Sequence, residues 1–385
     1  MTSEERHELR YQRRKAKRQE KFITRFKNEL RFEQIFSYQH LYKSYKKSCK
    51  NVNWKASTQR YKFRSNINLA VTYKQLHNNK YKSRGFHEFD ILERGKPRHI
   101  QSIHIEERVV QKCFCDYGLV KVLSSKFIYD NGAAIKGKGV KFALDRLTHH
   151  LHQYYHKYGT NEGYILHFDF SKYFERISHK QLFEQLDKYI LDPKCNKLLH
   201  HFIDVFGDIS LGLGSQVSQI CALLYPNKLD HIIKEQLHIK YYGRYMDDGY
   251  LIHPSKEYLI YCLEVIKSIC KELDIKLNLN KTFITKLYNP IGFLKHRYYL
   301  LPSGKVIRKS SKNCITKYQR KFRKLYSFYY NKNISLKDIE QSLQSILGYL
   351  QMSNCYKQEK LLYQYCQNLF NHKLNILNAK QRYKI

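Results

Sequence analysis

Tyr245-Met246-Asp247-Asp248 follows a polar turn and runs into the apolar stretch Tyr250-Leu251-Ile252. Adjacent carboxylates so close to hydrophobic strand residues are costly unless a cation holds them. A second site of this kind lies upstream, in His167-Phe168-Asp169-Phe170-Ser171. Read as opposed strands, the two stretches set Asp169 and Asp247 facing one another across a sheet. Asp248 adds charge nearby, although strand alternation points it away from its neighbour. The backbone carbonyl of Phe170 is a further candidate ligand. Together these groups suit two Mg²⁺ ions, with Mn²⁺ as the alternative. Paired ions of this type serve in-line phosphoryl or nucleotidyl transfer, one activating a 3′-hydroxyl and the other holding the incoming triphosphate.

The composition indicates the polymer on which such a centre would act. With 70 Lys plus Arg against 33 Asp plus Glu, the formal net charge is +37 over 385 residues. Such an excess opposes compactness unless a polyanion neutralises it. Nucleic acid is the expected partner, bound first through its phosphates and therefore with salt-dependent affinity. A basic surface kept for solubility is the competing reading, and excesses this large rarely serve that end. At 42% hydrophobic and 15% aromatic residues, the chain buries a full core and is no disordered basic tail. The 34 tyrosines suit stacking on bases or a place beside a backbone groove, or they reflect a biased composition.

Ten cysteines lie scattered, and Cys113-x-Cys115 has neither a second CxxC nor clustered histidines. Zinc is disfavoured, and free thiols in a reducing cytosol are expected. The stretch from Met1 to Arg13 is charged from the start, without the pattern of a signal peptide. No apolar run approaches the ~18 to 20 residues of a membrane span. The expected location is cytoplasmic, with no membrane partner.

The chain runs from a helix-rich start, with a basic helical extension over 1–85, through an α/β centre to a helix-rich end. Residues 1–35 read as an exposed basic helix or arm that either binds template RNA or solvates the surface. Alternation over 86–105 predicts two strands about the basic turn Arg94-Gly95-Lys96-Pro97-Arg98. A helix follows over 106–123, with Val109, Val110, Phe114 and Leu119 inward. A Gly-rich loop at 131–139 leads to a helix over 140–156, a strand over 164–170 and a helix over 178–189. The loop Leu211-Gly212-Leu213-Gly214-Ser215 feeds one long helix over 218–236. After the aspartate hairpin come a helix over 257–273, a strand pair at 293–300 and 306–308, and helices over 312–330, 335–349 and 357–370. This order predicts a three-part machine with the chemistry in the middle.

The triphosphate also needs cations. Lys96 and Arg98 occupy alternate positions of the basic strand and face one cleft, where Arg offers a planar fork to phosphate oxygens. Two like charges on one strand face, opposite a carboxylate cluster, weigh against a purely structural reading. The His149-His150 and His200-His201 pairs are expected to be surface or packing residues.

On these residues the chain resembles the bacterial reverse transcriptases of group II introns, diversity-generating retroelements, retrons and phage-defence systems. The double-aspartate hairpin of those enzymes matches Tyr245-Met246-Asp247-Asp248, and their first palm motif matches the stretch from Phe168 through Asp169 to Ile177. The fingers motif matches Gly95-Lys96-Pro97-Arg98-His99-Ile100, and its following helix Glu107-Arg108-Val109-Val110-Gln111. Asn131-Gly132, Lys138-Gly139 and Ala143 are similar to the loop and helix that close the fingers. The resemblance implies an α+β right-hand polymerase: fingers with the first palm elements over 86–165, a palm of antiparallel sheet plus helices over 166–304, and a basic helical thumb and tail over 305–385. It also implies an RNA-directed DNA polymerase with Asp169, Asp247 and Asp248 at its centre. By the same correspondence Phe174 falls at an aromatic steric gate against the ribose 2′-hydroxyl, and Lys281 at the lysine that protonates pyrophosphate. Gly292-Phe293-Leu294 takes the place of the primer grip. The implied partners are an RNA template, a DNA or RNA primer with its nascent complementary DNA, and deoxynucleoside triphosphates. An accessory protein or a second copy of the chain is a further possible partner.

One departure stands out. Where many of these enzymes carry Pro-Gln-Gly and then Ser-Pro, this chain has Gly212-Leu213-Gly214 and Ser218-Gln219. The Ser-Gln pair is similar to retroelements that copy mutagenically. Leu213 in place of a glutamine removes a polar contact near the nascent base pair, with Gly214 and Gln219 beside it. No Cys/His nuclease cassette or RNase H carboxylate cluster is visible. The rival readings are an RNA-binding maturase or scaffold with a vestigial centre, and an RNA-directed RNA polymerase, which the aromatic gate disfavours. Diversification, antiviral defence and element mobility all remain open as settings.

Overall fold

The computed structural model describes residues 2–29, 31–93, 96–311, 314–372 and 374–376. The first helix, α1 (Ser3–Glu29), is exposed along its described length except at Phe22, whose ring meets Tyr189 edge-on at 5.8 Å. Helices α2 (Phe32–Ile35), α3 (Tyr38–Cys49), α4 (Ala56–Phe63) and α5 (Ser65–His77) pack much more closely. Their Phe36, Leu41, Leu69 and Leu76 join one core with Val109, Val110 and Phe114.

Strands β1 (Phe86–Glu93) and β2 (Lys96–Ile103) form the basic hairpin in register Phe86↔Ile103 to Glu93↔Lys96. Next come α6 (Ile105–Phe114), a π turn at Cys115–Leu119 and α7 (Val120–Ser124), burying the four apolar residues expected of the 106–123 helix. Helix α8 (Val140–Tyr158) leads into β3 (Tyr164–Asp169). Helices α9 (His179–Leu186) and α10 (Pro193–Asp204) follow; Asp192 caps the latter, with Pro193 at its first turn.

The expected long helix over 218–236 is broken. It consists of α11 (Gln216–Leu224), α12 (Asn227–His231) and a π turn at Ile232–Gln236. Pro226 sits at the break: it has no N–H to continue the ladder, and its ring opposes the preceding turn.

Strands β4 (Tyr241–Tyr245) and β5 (Asp248–His253), helix α13 (Lys256–Glu272) and β6 (Phe283–Lys286) complete the central unit. The sheet order is β4-β5-β3-β6, antiparallel throughout. Strand alternation sends Leu166, Phe168, Tyr242 and Leu251 into the main core with α11 and α13. It sends Ile165, Tyr241, Tyr250 and Ile252 into a second core against α8. Both faces are therefore covered, which is why these strands read as almost unbroken apolar runs.

The expected 293–300 strand is two strands, β7 (Ile291–Phe293) and β8 (His296–Leu300), which pair Phe293 with His296. The two residues between them, Leu294 (φ 46) and Lys295 (φ 67), make a tight turn with both φ angles positive. With β9 (Val306–Ser310) they form a separate three-stranded sheet. The last helices, α14 (Cys314–Tyr330), α15 (Leu336–Leu350) and α16 (Tyr356–Phe370), enclose their own core around Phe322, Leu343, Leu347 and Leu362. They meet the small sheet through Tyr349 Oη, which donates to the Lys295 carbonyl at 3.3 Å, and through reciprocal backbone and side-chain bonds between Asn354 and Arg308. No described helix is long and apolar enough to cross a membrane.

Gly249 lies opposite Phe168 in the β3–β5 register, and a Cβ there would overlap the Phe168 ring. Gly249→Ala is expected to destabilise the fold by about 1–3 kcal/mol through overpacking, read as a lower denaturant midpoint; an unchanged midpoint would show that the ring is free to move aside.

Candidate active site

Asp169 ends β3 and pairs across the sheet with Asp248, the first residue of β5, while Asp248 also pairs with Tyr245 at the end of β4. Asp247 therefore occupies a two-residue turn with Met246. Met246 has φ 56, a region costly for a residue with a side chain.

A buried clamp holds this turn. The Arg244 guanidinium donates to the Met246 carbonyl at 2.7 Å, to the Leu223 carbonyl at 3.1 Å, and to both Asp230 oxygens at 2.8 and 2.5 Å. Tyr242 Oη adds a donation to Asp230 at 2.5 Å. Arg244 is 1% and Asp230 0% exposed, so every lone pair and proton here needs a partner from the protein. The Asp247 carbonyl is held in turn by the Phe170 N–H at 3.1 Å.

The Asp169 carboxylate is enclosed by the segment after α13. Lys281 Nζ donates to it at 2.7 Å and Asn278 Nδ2 at 3.2 Å, while the Asn278 N–H takes the Asp169 carbonyl at 2.8 Å. Burial, together with the Asp169 charge, pushes the Asp247 carboxyl up. The Asp248 carboxyl is pushed up to about 7 by burial first, then by Asp247 and Asp169. The bond to Asp169 holds the Lys281 ammonium above its usual range. Three crowded carboxylates facing one ammonium make a donor set that a divalent cation would relieve. Among the described residues, no three His, Cys, Asp or Glu side chains converge to cage a single ion. The Phe170 ring is buried against Phe168 and Tyr173, so only its backbone faces this chemistry.

Of the residues expected on the nucleotide side, Phe174, Leu213, Gly214 and Gln219 lie on or next to the 211–215 loop. Phe174 opens a 3₁₀ turn, half-buried, with its ring edge-on to Tyr173 at 5.8 Å. Its carbonyl accepts the Leu211 N–H at 2.7 Å, tying the gate position to the loop. Gly212 abuts the Phe206 ring where a Cβ would overlap it. Gly214 has φ +115, and a Cβ there would come within 3.4 Å of the Gln101 carbonyl on β2. Leu213 is half-buried, whereas Gly214 and Gln219 are exposed. The backbones of Lys96 and Arg98 pair with Glu93 and Ile91. Their side chains, with the turn at 94–95, lie outside the described residues.

Sequence reading missed what anchors this loop. Ser215 Oγ caps α11 at the Ser218 N–H and donates to Gln111 Oε1 at 2.7 Å. Gln111 Nε2 donates to Glu107 at 3.1 Å, and Ser83 Oγ donates to the other Glu107 oxygen. Glu107, Gln111 and Ser215 are buried, and burial pushes the Glu107 carboxyl up. The only sequence signal was a polar i, i+4 pair on an otherwise apolar helix face. Of the histidine pairs, His149 is exposed, His150 is buried against Tyr250 Oη at 3.0 Å and held down to about 3 by burial, and His200 stacks on Phe183 at 3.8 Å.

With this geometry in hand, the domain match is decisive. The chain belongs to the reverse transcriptase (RNA-dependent DNA polymerase) family, whose sequence model matches residues 94–328. The mixed helix and sheet architecture is accordingly the right-hand polymerase fold of that family. Among solved structures it is similar to apo telomerase from Candida tropicalis, at TM-score 0.48 and 13% identity over 75% of this chain and 59% of that one. It is also similar to telomerase from Candida albicans in complex with a TWJ fragment of telomeric RNA, at TM-score 0.46 and 11% identity over 75% and 62%. The chain thus spans less than two thirds of the length of either structure. No curated protein matches it in sequence.

Removing one partner of the buried clamp leaves the other charge stranded. Asp230→Ala is expected to cost about 3–5 kcal/mol, seen in the denaturant midpoint, with Tyr242→Phe costing about 1 kcal/mol. A loss below 1 kcal/mol in Asp230→Ala would mean that water reaches Arg244.

Proposed function

We propose that the chain is an RNA-directed DNA polymerase that extends a 3′-hydroxyl with deoxynucleoside triphosphates on an RNA template. The observation that carries this reading is the in-register pairing of Asp169 with Asp248, with Asp247 in the intervening turn and Lys281 bonded to Asp169. Asp169 and Asp247, with Asp248 and the Phe170 carbonyl, would hold divalent cations, Mg²⁺ or alternatively Mn²⁺. Such ions would lower the pKa of the attacking hydroxyl and neutralise the triphosphate.

The protein's own groups do the rest. Lys281 keeps its proton, because Asp169 stabilises the ammonium, and is placed to give that proton to the departing pyrophosphate. Phe174 limits the space beside the sugar and disfavours a 2′-hydroxyl. Lys96 and Arg98 on the hairpin supply positive charge to the triphosphate. Leu213 and Gly214 form an apolar floor beside the new base pair, with Gln219 at its rim, and leave base selection to pairing and shape. That loose floor and the Ser218-Gln219 pair favour a bacterial or phage retroelement or antiviral defence system as the setting.

Primer extension on an RNA template tests the reading. Wild-type protein should incorporate deoxynucleotides in Mg²⁺, lose activity on chelation and regain it with added metal. Asp169→Asn and Asp247→Asn should fall to background while keeping the wild-type melting temperature. No incorporation by well-folded wild-type protein, with any primer and either metal, would sink the proposal. Phe174→Val should weaken the preference for deoxynucleotides over ribonucleotides by about 10- to 200-fold, measured as the ratio of kcat/KM values; an unchanged ratio would remove Phe174 from the gate.

A further inference from the structure

Helix α1 carries ten basic and five acidic residues and buries only Phe22 among its described residues. A helix polar on all sides gains little from its own protein and usually spans toward something else. One stripe of α1 nevertheless turns toward the body. His7, Arg10, Tyr11, Arg14 and Arg18 line a cleft of about 570 Å³ whose opposite wall is Lys126 and Glu235.

The charges in this cleft are unbalanced. Glu235, the only carboxylate in the lining among the described residues, is already bonded to His231 Nδ1 at 2.7 Å. Lys126 stands over the Phe22 ring at 3.7 Å, at the point where α1 is anchored, and burial depresses its ammonium. Among the described residues Arg10, Arg14 and Arg18 have no carboxylate partner, and their i, i+4, i+8 spacing sets them along about 12 Å of helix axis. Guanidinium groups in a row, facing a further cation across a gap, repel one another until an anion enters. A row of this length matches successive phosphates of one strand. Among the described lining residues the rings are those of His7 and Tyr11 alone, against three arginines and a lysine, so the cleft is suited to gripping backbone more than to stacking a series of bases. None of its lining residues is among those around Asp169.

We infer that the cleft between α1 and Lys126 is a second nucleic-acid site, which holds the phosphodiester backbone of a base-paired segment separate from the template–primer in the catalytic centre.

The test uses the full chain with a short, blunt RNA duplex whose 3′ ends are blocked, and a DNA duplex of the same sequence. Arg10→Gln/Arg14→Gln/Arg18→Gln should bind the RNA duplex at least tenfold more weakly and lower the slope of log K against log salt by about 2 to 3. Extension of a saturating short template–primer should be unchanged, so failure here is separable from failure of the polymerase reading. Glu235→Gln should raise duplex affinity severalfold, a gain that misfolding cannot mimic. Parallel losses for both duplexes support a site indifferent to the sugar, and a loss for RNA alone supports one that also reads the 2′-hydroxyl. Unchanged affinity and salt slope in the triple variant would overturn the inference, as would an equal loss of template–primer extension, which would merge the cleft with the catalytic channel.

Discussion

The turn that carries Asp247 depends on one buried ion pair, Arg244 with Asp230. Arg244 and Asp230 are sealed from water, and their bonds reach the end of α11, the body of α12, the strand β4 and the carbonyl of Met246. A charge pair buried to this degree gains little net stability over an apolar pair of similar shape. It supplies direction instead, because a guanidinium holds its donors in a fixed plane, and four bonds from Arg244 reach designated acceptors on Asp230, Leu223 and Met246. The unfavourable φ of Met246 persists because this network over-determines it. Asp247 is thereby fixed by groups outside the chemistry, and the sheet register then brings Asp169 to Asp248.

The same logic extends outward. A sheet covered on both faces leaves the strand ends as the only place where polar side chains can gather, and all three aspartates sit there. The 211–215 loop is tethered at one end to the Phe174 carbonyl and at the other, through Ser215, to Gln111 of α6. Displacement of α6 would therefore be felt by Leu213 and Gly214 without passing through the carboxylates. The three aspartates and the 211–215 loop rest on two separate polar networks.

Much of this was legible in the chain because it is local. The β1–β2 hairpin, the strand ending at Asp169 and the aspartate hairpin follow from alternation, turn residues and the cost of burying charge. What escaped was long-range or atypical. Asp230 looked like one more polar residue in a helix, since nothing nearby pointed to Arg244. The break at Pro226 was available from proline chemistry and was overridden by the apolar run around it. The Leu294–Lys295 turn carries none of the residues that normally announce positive φ. Lys281 was singled out by family resemblance alone, and its bond to Asp169 crosses from the end of one strand to a loop that periodicity does not locate.

All ten cysteines are free and buried, and they are spread through every part of the chain: Cys49 in α3, Cys113 in α6 with Cys115 just after it, Cys195 in α10, Cys221 in α11, Cys262 and Cys270 in α13, and Cys314, Cys355 and Cys366 among the last helices. Burial pushes the thiols of Cys49, Cys113, Cys115, Cys195, Cys221, Cys262, Cys270 and Cys366 up, so their reactive thiolates are scarce. A thiol reagent would therefore meet a closed surface and modify each position only when its surroundings open. The native chain carries a built-in set of opening reporters, and a single cysteine added on its surface would take a fluorophore against a silent background.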